Sequence, residues 1–79
     1  MQAVQSKMAR AALGLGVREL GAAAGVSPDT IVRFEKGEAL QPRTVAAIRA
    51  ALEAAGVEFI PENGGGPGVR LAHREGFER

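Results

Sequence analysis

The residues whose types and spacing could do chemistry run Leu20-x4-Gly25-Val26-Ser27-x3-Ile31-x3-Glu35-x-Gly37. Their spacing suits recognition rather than bond-making. Leu20 and Ile31 can lock two short helices together, Gly25 allows the tight turn between them, and Val26 plugs the corner. Ser27 can cap the second helix, Pro28 suits its first position, and Asp29 favours the positive end of its dipole. The N-terminal turn of that second helix is then free to face the major groove of a DNA duplex.

Other groupings carry less. His73 is the one histidine and sits in a polar neighbourhood, so it reads as a surface residue. The run Gly64-Gly65-Gly66-Pro67-Gly68 lacks the Lys-Ser/Thr and the helix that a phosphate loop needs. Gly14-x-Gly16 follows no strand and is not a dinucleotide fingerprint. No Ser-His-Asp set or carboxylate pair is supported by spacing, so the chain reads as no enzyme. No metal and no cofactor is expected.

The elements that must hold this unit can be read around it. Residues 3–13 predict a first helix, with Val4, Met8, Ala11 and Ala12 facing a core and Gly14 ending it. Residues 17–24 predict a second, with Val17, Leu20 and Ala24 on one face. Gly21 inside it costs about 1 kcal/mol in propensity, which implies another backbone packed closely there. Residues 28–36 predict a third helix, with Ile31, Phe34 and Glu35 sharing a face and Gly37 as its stop. Pro42 opens a fourth over 43–55, whose apolar stripe is Val45, Ile48, Ala51, Leu52 and Ala55. Short helix, tight turn and capped helix together make the helix-turn-helix unit, here residues 17–36.

Beyond Gly56 the composition changes. Val57–Ile60 and Val69–Leu71 read as strands joined by an eight-residue turn, with Glu58 and Arg70 able to pair across them. A lone two-stranded hairpin is marginal in water, so it must pack on the helices or meet a second chain. Residues 73–79 read as a frayed tail. The fold expected is mainly α: a four-helix helix-turn-helix bundle with a short C-terminal β-hairpin. The divisions are a DNA-binding domain over 1–56, a hairpin extension over 57–72 for dimerisation or packing, and the tail.

Composition sets the bounds. The chain has 79 residues, 46% hydrophobic, with no Cys, Trp or Tyr. That permits one small core, no disulfide framework and no thiolate metal site. No run approaches the roughly 20 apolar residues of a membrane helix, and the N-terminus has no secretory pattern. A cytoplasmic, nucleoid-associated protein is expected, without membrane contact and with no room for a ligand-sensing domain. Net charge is only +1, but residues 1–50 hold seven basic and four acidic groups, and residues 51–79 hold three basic and five acidic ones. A polyanion would therefore meet the N-terminal part.

Over about residues 4–55 the chain resembles the phage-repressor and Cro type helix-turn-helix family, often called the XRE family. The segment GVEFIPENGGGPGVRL also resembles the tail of short bacterial regulators of that type. The resemblance implies a small bacterial or prophage-borne transcriptional regulator. It places base readers at Pro28, Asp29, Val32 and Arg33. An Arg33 guanidinium can donate two parallel bonds to guanine, worth about 1–3 kcal/mol of discrimination. Asp29 can accept from cytosine or orient Arg33, and Pro28 and Val32 can touch a thymine methyl. Phosphate contacts fall to Val17, Arg18, Thr30, Lys36, Gln41 and Arg43. The family commonly has Gln where Val17 stands, so Val17 offers only its amide, with Arg18 in compensation. Residues 38–40 also lack the basic character often found there. By the same resemblance, Arg10 and Glu35 form a structural ion pair.

Two function classes follow. The first is a homodimeric, sequence-specific regulator, repressor before activator, on a near-palindromic operator with half-sites about 34 Å apart. The second is a protein-interaction module of antitoxin or antiactivator type, adding a hairpin strand to a partner's sheet. Phe59, Ile60, Val69 and Leu71 supply the apolar area for dimerisation or packing, and the fourth helix through Leu52 is the other dimer surface.

Overall fold

Proline and glycine punctuate the chain where its helices begin and end. In the computed structural model, which describes residues 1–72, the order is α1 (Ala3–Leu13), α2 (Val17–Ala24), α3 (Pro28–Glu35), α4 (Pro42–Ala55), β1 (Val57–Ile60) and β2 (Gly68–Leu71). The mainly helical class with a C-terminal hairpin is as the sequence implied. Three boundaries differ by one residue. Lys36 caps α3 instead of belonging to it, Pro42 is already helical, and Gly68 pairs with Ile60, which shortens the connection. The expected tail and His73 lie outside the described residues.

The core is Ala9, Leu20, Ile31, Phe34, Ile48, Leu52 and Val57. Every helix contributes to it, and so does the hairpin. Burial of an aliphatic side chain such as Ile31 or Leu52 stabilises by about 1.5–3 kcal/mol, so this small set carries most of the fold. The α2–α3 corner closes tightly. A Cβ at Gly21 would sit 2.8 Å from the Val26 carbonyl oxygen and 3.2 Å from the Pro28 nitrogen. The backbone approach implied by a glycine inside α2 is thus real.

The expected inner face of α1 is wrong. Val4 is 48% exposed and Met8 36%, and Ala11 and Ala12 are exposed too. The face turned inward carries Gln5, Ser6 and Ala9. Its polar groups are buried because each has partners. Gln5 Nε2 donates to the Ile60 and Gly68 carbonyls, and the Ser6 hydroxyl donates to Glu35. Polarity patterning assigns such residues to solvent, because it cannot see the acceptors that other elements bring. Ala55 of α4 is likewise exposed, not part of the buried stripe.

The hairpin is antiparallel, in the register Val57↔Leu71, Glu58↔Arg70, Phe59↔Val69 and Ile60↔Gly68. Phe59 and Val69 pack against the core, and the Arg49 guanidinium lies 5.2 Å from the Phe59 ring centre. Arg70 Nε donates to Glu58 at 2.7 Å, but both side chains are well exposed. Such a pair is worth at most about 1 kcal/mol, against about 2 kcal/mol for buried Val57. Apolar packing on the helices, helped by Gln5, holds the hairpin down.

Candidate nucleic-acid interface

Local sequence fixes how α3 is presented. The Ser27 hydroxyl accepts from the Thr30 amide at 3.1 Å and is 2.9 Å from the Thr30 hydroxyl, while Pro28 starts the helix. Ile31 and Phe34 turn inward and are buried. On a 3.6-residue period this puts Asp29, Val32, Arg33 and Lys36 on the opposite arc, with Pro28 at its edge. All are exposed except Val32, which is half-buried. Thr30 lies between the arcs, its hydroxyl engaged with the cap.

The helix ends in a Schellman turn. Gly37 has φ +100°, its amide donates to the Phe34 carbonyl, and the Glu38 amide donates to the Arg33 carbonyl at 3.0 Å. Glycine takes that left-handed conformation without strain. The turn folds Glu38 back beside Arg33. Arg33 is therefore held twice: its Nε is 3.1 Å from Asp29 Oδ2, and its Nη1 donates to Glu38 Oε2 at 2.8 Å. Residues 38–40 are expected only to lack positive charge, but Glu38 is a direct partner of Arg33. The signal was present, since a glycine stop four residues after an arginine returns the next side chain to it.

The inner face carries a second pair. Arg10 Nε donates to Glu35 Oε2 at 2.9 Å and Nη2 to Oε1 at 2.6 Å, while the Ser6 hydroxyl donates to Oε2 at 2.7 Å. Arg10 Nη1 also donates to the Leu15 carbonyl, tying α1 to the segment before α2. The Glu35 side chain is only 4% exposed. Burial alone would raise its carboxyl, but the Arg10 and Ser6 hydrogen bonds and the charges of Arg10 and Lys7 outweigh that and hold it below the usual carboxylate range. The same pairing raises Arg10.

The remaining cations are either paired or unpaired. Arg49 pairs with Glu53, and Arg70 with Glu58. Lys7, Arg18, Lys36 and Arg43 have no carboxylate at ion-pair distance among the described residues. Lys7 lies within α1, and the other three stand at the start of α2, the end of α3 and the start of α4. Arg43 is in the first turn of α4, where its charge opposes the helix dipole. Gln41 caps that helix without using its side chain, so its amide is free to bind. Val17 packs against the core, leaving its backbone amide as its only polar group at the α2 start. No cluster of metal-ligating side chains occurs among the described residues, and none of their helices is long and apolar enough to cross a membrane.

A family model described as a helix-turn-helix domain matches residues 5–59, from within α1 to within β1. No curated protein matches the chain.

Proposed function

The chain belongs to the helix-turn-helix domain family, a DNA-binding fold, and from that premise we propose that it is a sequence-specific transcriptional regulator of the phage-repressor and Cro type. It binds double-stranded DNA as a homodimer, with α3 in the major groove. Arg33 reads guanine, oriented by Asp29, while Pro28 and Val32 offer apolar contact to thymine methyls. Arg18, Lys36, Arg43, Gln41, Thr30 and the Val17 amide grip phosphates. Two copies give a near-palindromic operator with half-sites about 34 Å apart. Repression by occupying the operator needs only the DNA-binding unit, and it is the sense proposed. Residues 1–56 carry DNA binding and residues 57–72 the dimer extension. The setting proposed is the cytoplasm of a bacterium, on the nucleoid.

The observation that carries this reading is the placing of unpaired cations. Of the four unpaired cations among the described residues, Arg18, Lys36 and Arg43 stand at the start of α2, the end of α3 and the start of α4, with Lys7 on α1 the exception, whereas Arg49 and Arg70 are neutralised by neighbours. Phosphate resolves the misfit of Arg43 at a helix start. For dimerisation, Phe59 and Val69 are already spent on the monomer core. The most exposed large apolar side chains left to a second copy are Leu71 on β2 and Val4 and Met8 on α1, and Ile60 on β1 is half-buried.

The test is fluorescence anisotropy against a duplex enriched from a random pool, over a salt series. Log affinity should fall linearly with log salt, and Arg43→Ala should reduce that slope by about one. Binding that is indifferent to salt would refute the reading. The protein-partner reading would then gain, favoured by a two-stranded sheet with an edge on each side.

A further inference from the structure

We propose that Glu38 sets specificity by withholding Arg33 from phosphate, so that the guanidinium is released chiefly to paired acceptors on a base edge. This rests on the base-reading role proposed for Arg33. The geometry is unusual in that Glu38 is bound to Arg33 at both ends. Its amide donates to the Arg33 carbonyl at 3.0 Å, and its carboxylate accepts from Arg33 Nη1 at 2.8 Å. The Schellman turn at Gly37 fixes the first contact and thereby presents the second.

Asp29 and Glu38 then play different parts. Asp29 Oδ2 lies at ion-pair distance from Nε, on the side of the guanidinium nearest its own stem, without a hydrogen bond. That contact leaves both Nη atoms free of Asp29, and a guanine O6/N7 contact needs two such donors. Glu38 occupies one of them. On a mismatched sequence a single phosphate oxygen must compete with a carboxylate already in place, and Arg33 stays with Glu38. On the cognate sequence guanine supplies two acceptors at once and replaces it. Glu38 is thus a positioning residue that acts through Arg33. Its carboxylate suppresses non-specific affinity at a small cost in specific affinity.

The experiment compares wild type, Glu38→Gln, Arg33→Ala and the double variant by anisotropy. The probes are the duplex enriched by the wild type and a scrambled duplex of equal length, over a salt series. An exposed ion pair of this kind corresponds to about a two- to fivefold change in binding. Glu38→Gln should tighten scrambled binding by that factor and narrow the ratio between the duplexes. Its salt slope on the scrambled duplex should steepen by about one, because Arg33 now meets phosphate. In the Arg33→Ala background these gains should vanish. A gain of equal size in that background would mean simple charge repulsion and overturn the proposal, as would an unchanged ratio. If Arg33→Ala leaves the ratio intact, or if no sequence is enriched, the base-reading proposal itself fails and takes this one with it. If Arg33→Ala lowers the ratio but Glu38→Gln does not move it, only the Glu38 role fails. Both side chains are exposed, so unchanged thermal unfolding should accompany every variant.

Discussion

The two faces of α3 carry the same chemistry in opposite settings. Each holds an arginine against carboxylate. On the inner face, Arg10 makes a two-bond contact with a Glu35 carboxylate that is 4% exposed and also backed by Ser6. On the outer face, Arg33 bridges Asp29 and Glu38, all three in solvent. The Glu35 carboxylate is almost wholly shielded from water while Arg10 stays 20% exposed, so losing Arg10 would strand the glutamate, and the pair fastens α1 to α3. The outer charges can exchange partners at little cost. A helix of eight residues thus keeps one ion pair for structure and leaves the other exchangeable, as a recognition surface requires.

The comparison can be broken first on the inner face. Arg10→Ala should cost about 3 kcal/mol in urea unfolding, because it strands a buried carboxylate. A loss as small as that of a surface pair would show that the two faces do not differ. Ser6→Ala should cost about 1–2 kcal/mol, the scale of one hydrogen bond to a buried charged group.

Acid should sharpen the contrast. Glu35 is held below its ordinary value, so its stabilising contribution is fully present above the unfolded carboxylate value of about 4.3. It is lost as pH falls through the lower, folded value. Wild type should therefore lose stability steeply below about pH 4, and Glu35→Gln, though weaker at neutral pH, should lose less over that interval. Parallel acid profiles for the two proteins would remove the physical distinction drawn here. The smallest effect belongs to the outer face. Asp29→Asn and Arg33→Ala should each move unfolding by no more than about 0.5 kcal/mol.

Much of this was legible in the sequence, for local reasons. Ser27-Pro28 and Gly25 mark a helix start and a turn through the backbone conformations they permit, and Leu20, Ile31 and Leu52 mark the core by period. The inner pair was read only through family resemblance, since nothing local to Arg10 points to a residue 25 positions away. The inner face of α1 is not legible from polarity, because Gln5 and Ser6 are buried by acceptors from the hairpin and α3. The role of Glu38 is not legible from pattern, because its contact with Arg33 runs across a helix stop and follows neither helical nor strand periodicity.

The most direct test of the central claim is one side-by-side titration of wild type and Arg33→Ala against the enriched duplex, with unfolding measured on the same samples. The account predicts a loss of about ten- to a hundredfold in affinity with stability unchanged, the signature of an outer face that is exchangeable and reads bases. Equal affinity for the two proteins, or a loss of binding that tracks a loss of fold, would contradict it.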